Sequence, residues 1–329
     1  MKAVRFHKTG GPDVLTYEDV PDPTPRDGEV LIRVETVGVN FADVMPRRGD
    51  AYPEASPPPL TPGVEVAGTI AAVGKGVAGL EVGTAVLATP GAGGYAQFIS
   101  IPAAIVVPLP PGVGAAQAAA VVAHGLTAAI ALRQAAHLKA GESVLIEGAA
   151  GGLRSFAIQL AKLYGAGKVI AAASTPEKRA TAERLGADAS VDCTAPNWAQ
   201  KVRELTDGRG VDVVLETAGG ENVGEALNAM APFGRMVYIG QSSGKTALID
   251  PWQLTVPNIT VTGFYIGGYR AVPDLIPATL GEIMDFIMSE KLSPQIGLVL
   301  PLSQAAEAHR LFESRKTTSK VVLQPWVEA

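Results

Sequence analysis

The stretch that most constrains this chain is Val144-Leu-Ile-Glu-Gly-Ala-Ala-Gly-Gly-Leu-Arg154, continued by Ser155-Phe-Ala-Ile-Gln-Leu-Ala-Lys162. It reads as a buried strand, a glycine-rich turn and then a helix. That order aims backbone N–H groups and the positive end of a helix at one point, as a dinucleotide fold does to hold a pyrophosphate. Ala150, Gly151, Gly152, Leu153 and Arg154 are therefore candidate cofactor-binding residues. Arg154 breaks the pattern, because it stands where G-x-G-x-x-G has its last glycine. Such an arginine distorts the turn, swings into the cofactor groove, or points outward and pairs with phosphate. The sequence leaves all three readings open.

A chain of 329 residues exceeds one ordinary core, so two domains are expected. Its 47% hydrophobic and 18% charged residues fit a soluble globular protein. A net charge of −5 with no Lys/Arg block argues against nucleic acid as a partner. The single cysteine, Cys193, excludes an internal disulfide framework and a Cys-rich zinc lobe, and it fits a reducing cytoplasm. Met1-Lys-Ala-Val-Arg-Phe has no apolar signal region, so a cytoplasmic location is expected. The most apolar window, 115–132, contains Gln117, His124, Gly125 and Thr127. A buried helix pair is expected there rather than a membrane span.

The rhythm of the chain changes near residue 115. Before it, short strand patterns at 4–6, 29–35, 64–73, 85–88 and 96–100 lie between Gly and Pro, which suggests a β-rich, barrel-like domain. The proline-dense segment 53–62 reads as a surface loop. After it, strands at 143–147, 168–173, 189–192, 211–217, 235–239 and 259–264 alternate with helices at 155–164, 176–185, 198–206 and 222–230. Alternation of this kind implies an α/β doubly wound parallel sheet. Helices at 277–289 and 303–314 and a strand at 320–323 complete the chain and are expected to pack on the first domain.

An NAD-type site often has Asp or Glu at the end of the second strand, bonding the ribose hydroxyls. Here that strand runs into Ala173-Ser174-Thr175-Pro-Glu-Lys178-Arg179, with no acid at its end. Small hydroxyls and two cations suit a 2′-phosphate, so NADPH is expected over NADH.

With these segments, Gly38-Val-Asn40-Phe-Ala-Asp43, Thr61-Pro-Gly-Val-Glu65-Val-Ala-Gly, Gly125-Leu-Thr127-Ala, Gly240-Gln-Ser-Ser-Gly244, Thr260-Val-Thr-Gly-Phe264-Tyr and Lys320-Val-Val-Leu complete a pattern. Over nearly the whole length, the chain resembles the zinc-free quinone oxidoreductase (zeta-crystallin-like) group of the medium-chain dehydrogenase/reductase superfamily. The resemblance implies a GroES-like catalytic domain of residues 1–121 and 266–329, an NADP-binding Rossmann domain of residues 122–265, and a site in the cleft. Zinc-dependent relatives have a Cys in the segment matching Gly38-Val-Asn40 and a His before the matching Glu65. Here Asn40 and Val64 stand there, and no metal is expected.

The same resemblance places Asn40, Asp43, Tyr52 and Thr127 around the reacting groups, with Asn40 hydrogen-bonding the acceptor oxygen and Thr127 beside the nicotinamide. Asp43 serves either the chemistry or the loop. Tyr52 either donates a proton or closes the pocket. Many members carry a tyrosine where this chain has Met45, which makes the pocket more apolar. Ser174, Lys178 and Arg315 are implied as a 2′-phosphate pocket, with Cys193 replacing a tyrosine that often completes it. Gly240, Gln241 and Ser243 are implied at the nicotinamide end, and Phe264 and Tyr265 at the cleft or a subunit interface. Of the histidines, His124 lies near the site and is a candidate substrate contact.

The function expected is NADPH-dependent, metal-free hydride transfer to a quinone or an activated α,β-unsaturated carbonyl, by a homodimer paired along the 259–264 strand. Two alternatives stay open. One is an enoyl-thioester reductase of lipid or polyketide assembly. The other, motivated by Arg154, is a protein that binds a ligand or hosts a redox-neutral step on the same scaffold.

Overall fold

The computed structural model describes residues 1–53, 56–147, 151–314, 317 and 319–328. They divide into one unit of Met1–Ala123 with Pro294–Ala329 and a second of His124–Ser293.

The first unit opens with an antiparallel ribbon, β1 (Lys2–Phe6) and β2 (Leu15–Asp19). Then come β3 (Glu29–Gly38), helix α1 (Phe41–Arg48), β4 (Val66–Val73), β5 (Ala85–Ala88), β6 (Phe98–Pro102) and β7 (Val106–Pro108). Val30, Ile32 and Val34 alternate inward along β3 into the core, the period-2 pattern of a half-buried strand. Helix α1 escapes the sequence reading because Pro46 lies inside it. Asp43 supports its first turn, and Gly49, at φ +90°, ends it with an N–H bonded back to Met45.

Residues Ala115–Ala135 form one 21-residue helical run, 72% buried in its most apolar window, so its apolar composition serves a core. It comprises α2 (Ala115–Ala120), a π-type turn at Val121–Gly125, α3 (Leu126–Ile130) and a second π-type turn at Ala131–Ala135. It is a single helix rather than the expected pair, because widened turns take up the irregularity without a break.

In the second unit, β8 (Ser143–Glu147) is followed by α4 (Gly151–Leu163), β9 (Lys168–Ala173), α5 (Pro176–Arg184), β10 (Ala189–Asp192) and α6 (Trp198–Glu204). Then come β11 (Val211–Glu216), α7 (Asn222–Asn228), β12 (Met230–Tyr238), α8 (Pro251–Thr255), β13 (Thr260–Gly263) and α9 (Leu275–Met288). The strands form a parallel sheet in the order β10-β9-β8-β11-β12-β13. Strand order therefore reverses between β8 and β11, where open α/β sheets bind ligands at their carboxyl ends.

The chain returns to the first unit with β14 (Ile296–Pro301), α10 (Ala305–Glu313) and β15 (Lys320–Gln324). β15 pairs antiparallel with β3 and brings Val322 opposite Gly38. Residues 266–293, expected in the catalytic domain, group instead with the second unit. Their helix α9 packs on α3, and Ile283 sits fully buried near Gly125.

Candidate active site

In the first unit the candidate residues gather where β3 ends. Asn40 precedes α1 and is 4% exposed. Its Nδ2 donates to Glu65 Oε1 at 2.8 Å and to Gly38 O at 3.3 Å, and its Oδ1 accepts from Lys320 Nζ at 2.7 Å. Lys320 Nζ also donates to Val39 O at 3.3 Å and pairs with Glu65 Oε1. The other Glu65 oxygen accepts the Ala123 N–H at 2.7 Å. Glu65 and Lys320 are both almost fully buried. This ion pair is neutralised and hydrogen-bonded on every side, which is what makes a buried charge tolerable. Gly38 permits it: a Cβ there would stand 2.0 Å from Glu65 Oε1.

The sequence expectation gave Asn40 a hydrogen bond to the acceptor oxygen. In the structure both amide hydrogens and the oxygen are already committed, so Asn40 reaches a substrate only by exchanging one of these bonds. Asp43 Oδ2 accepts from Asn40 N at 2.8 Å, and its Oδ1 accepts from Gly63 N at 2.8 Å and Val64 N at 3.1 Å. It ties α1 to the loop before β4. Burial pushes its carboxyl up to about 7, against the pull of these N–H donors. Tyr52 lines a small pocket with Phe6, Asp43, Leu60, Pro62 and Ala92.

In the second unit, α4 begins at Gly151, so Gly151–Arg154 of the glycine-rich segment form its first turn. Gly152 admits the His124 imidazole, since a Cβ there would lie 1.9 Å from His124 Nδ1. Thr127, three residues on, lies in α3. Arg154 is only 4% exposed, and Nη2 donates to Lys178 O at 3.3 Å. The guanidinium therefore turns inward, toward the start of α5, rather than outward. Burial lowers its proton affinity, and the neighbouring Cys193 raises it. Leu153 is part-buried beside it in α4.

Ser174 and Thr175 follow β9 without an acid, and Thr175 Oγ1 caps α5 by accepting the Lys178 N–H. Lys178 itself is 7% exposed, so it is no solvated face. Arg179 donates to Ala173 O and pairs with Asp192 at 3.1 Å.

Gly240, Gln241 and Ser243 lie in the loop after β12. That loop is tied to the one after β11 by Ser242 N to Thr217 O and Ser243 N to Ala218 O, while Gln241 accepts from Tyr238 Oη at 3.2 Å. Phe264 is buried and stacks on Tyr269, with centroids 5.3 Å apart. Ala150 and Arg315 lie outside the described residues.

Sequence reading missed the carboxyls that close β8 and β11. Glu147 and Glu216 are 1% and 0% exposed. Glu216 accepts from Ala218 N and Gly219 N at 2.8–3.1 Å. Burial, and then the Glu216 charge beside it, push Glu147 up to about 8. Each acid follows a run of three apolar residues, Val-Leu-Ile in β8 and Val-Val-Leu in β11.

Two family models match the chain. The alcohol dehydrogenase GroES-like domain covers residues 26–111, and the zinc-binding dehydrogenase domain covers residues 152–281. A quinone oxidoreductase of Pseudomonas aeruginosa is 36% identical over 98% of this chain and 99% of its own. A 2-haloacrylate reductase of Burkholderia sp is 31% identical over 98% of each. Among solved structures, an Escherichia coli quinone oxidoreductase complexed with NADPH superposes with a TM-score of 0.92 at 29% identity, covering 99% of this chain and 100% of that one. The chain belongs to the medium-chain dehydrogenase/reductase superfamily, in its quinone oxidoreductase-like group. The zinc in one model's description does not fit the residues present. Asn40 is saturated by Lys320, Glu65 and Gly38, Val64 offers only hydrocarbon, and among the described residues no three His, Cys, Asp or Glu gather to hold a metal.

Proposed function

We propose that this chain is an NADPH-dependent oxidoreductase that, without a metal, passes hydride to a quinone or an activated α,β-unsaturated carbonyl. The carrying observation is the saturated Lys320–Asn40–Glu65 network where zinc-dependent relatives ligate metal. With no Lewis acid held there, the acceptor must already be electrophilic. Relatives named quinone oxidoreductase and 2-haloacrylate reductase act, by those names, on conjugated acceptors.

The residues fit the cofactor. The start of α4 would face the pyrophosphate, and the 2′-phosphate would meet the buried cations Arg154 and Lys178 with Ser174. When bound, NADPH supplies the hydride. The protein's part is to position the acceptor, exclude water and hold donors ready for the oxyanion that develops on it. Tyr52, in the pocket beside Asp43, is the donor we assign, while Asn40 and Asp43 hold the loop that frames it. Thr127 is assigned beside the nicotinamide, with Gly240, Gln241 and Ser243 lining that end.

Small molecules are the expected substrates, in a cytoplasmic setting. A homodimer paired along β13 is supported by that strand's edge position and by neighbouring apolar side chains left open to solvent: Leu248 at 90%, Trp252 at 71%, Val256 at 78% and Phe233 at 75%.

Titrating NADPH and NADH against the protein by nucleotide fluorescence, then following NADPH oxidation with quinone, enone and enoyl-CoA panels, tests this reading. Tighter NADPH binding and turnover with quinones or enones are expected. Binding of neither nucleotide overturns it, and turnover confined to enoyl-CoA selects the thioester alternative.

A further inference from the structure

Glu147 and Glu216 occupy the last positions of the two central strands of the parallel sheet. The register sets Ile146 beside Leu215, so the two glutamates fall on neighbouring positions at the point where strand order reverses. Both are buried. Glu216 is anchored by the Ala218 and Gly219 N–H groups, and the Glu147 carboxyl faces Glu216 and Asn222.

From beyond β10, the Cys193 thiol faces Glu147 and is pushed up to about 11, by burial and then by Glu147 itself. Arg154 of α4 lies beside that thiol, and Asn222 of α7 lies beside Glu147. Tyr238 of β12 faces Glu216, and its hydroxyl is raised by burial and by that carboxyl. Two adjacent buried carboxyls do not both ionise at neutral pH, so the pair retains one proton.

We propose that Glu147 and Glu216 are a proton-sharing pair that positions the dinucleotide site, and that cofactor affinity falls when the shared proton leaves. The inference rests on the dinucleotide-binding reading above. An anionic pyrophosphate at the start of α4 is attracted by the helix N-terminus and repelled by charge at the adjacent strand ends. With one proton on the pair, the site carries one negative charge there; without it, two. Binding therefore favours the protonated pair, and by linkage takes up a proton when the pair is partly ionised.

The test is the pH dependence of the NADPH and NADH dissociation constants. In the wild type both should weaken above about pH 8, with a slope approaching tenfold per pH unit. The slope should be the same for the two nucleotides, because they share the pyrophosphate and differ only in the 2′-phosphate. Glu147→Gln, neutral and nearly isosteric, should flatten the profile. A flat wild-type profile, or an unchanged slope in Glu147→Gln, overturns the proposal while leaving cofactor binding intact. Binding of neither nucleotide at any pH removes the dinucleotide reading and this proposal with it. A second measurement needs no variant. Calorimetry of NADPH binding near pH 8, in two buffers of different ionisation enthalpy, should show fractional proton uptake; zero uptake overturns the proposal.

Discussion

Each unit buries a carboxyl against a partner side chain, Glu65 in the first and Glu147 in the second, and the two are neutralised in opposite ways. In the first, Glu65 meets the Lys320 ammonium, the Asn40 amide and the Ala123 N–H. In the second, Glu147 meets another carboxyl, Glu216, and is kept neutral by a proton. One solution is a fixed countercharge on a neighbouring side chain. The other is a borrowed charge that solvent can take back. Buried acids are thus not one category: their partners decide whether they behave as rivets or as titrating groups.

The sharpest way to break the first solution is Lys320→Met. It leaves Glu65 buried without its countercharge and should destabilise the protein by about 3–5 kcal/mol in urea unfolding. Adding Glu65→Gln to that variant should recover much of the loss, since removing both charges is far milder than removing one. Full additivity of the two substitutions would show that they are not coupled. Gly38→Ala attacks the same network sterically, with its Cβ driven toward Glu65 and the Lys320 stem, and should cost about 1–3 kcal/mol in the same assay.

For the second solution the prediction concerns a slope. Burial raises Glu147 from an ordinary 4.5 to about 8. The folded chain then holds a proton that the unfolded chain releases. The associated stability is complete below pH 4.5 and is lost as pH climbs through 8. Glu147→Gln should match the wild type in thermal melts near pH 5 and exceed it at pH 8 by on the order of 1–3 kcal/mol. A variant less stable than the wild type at both pH values would mean that Glu147 makes specific contacts as a carboxyl. The smallest effect falls on Cys193, whose thiol is raised by burial and by Glu147. Alkylation should be slow at pH 8, and Glu147→Gln should accelerate it about two- to fivefold in mildly alkaline buffer.

What the sequence made legible follows the same division. Strands and helices of the second unit were readable because local periodicity and glycine-rich segments mark them; β8 and β9 fall where the pattern put them, while α4 starts at Gly151, four residues before the expected 155, and takes Arg154 into its first turn. Asn40 and Asp43 were readable as a motif but not as a geometry. The partners that saturate Asn40 lie 25 and 280 residues away, and Lys320 looked like an ordinary strand start. Glu147 and Glu216 were hidden because each closes a strand, where an acid looks like an approach to solvent. Only the parallel register, joining segments 69 residues apart, sets them side by side. The direction taken by Arg154 was undecidable for a similar reason. Its acceptor is a backbone carbonyl on α5, and carbonyls leave no trace in composition.

Counting ionisable residues assigns the chain a formal charge of −5 and an isoelectric point near 5.5, on the premise that every carboxyl is open to water. The pair at the sheet's carboxyl edge violates that premise. At neutral pH the native chain holds a proton that the count omits, so it should migrate toward the cathode relative to the sequence value. Native isoelectric focusing should place the intact wild type level with both Glu147→Gln and Glu147→Ala, while under denaturing conditions the wild type should focus below the two variants, which lack one carboxylate. Unfolding then becomes a small acid-releasing event, visible in unbuffered solution as a fall in pH with each denaturing cycle.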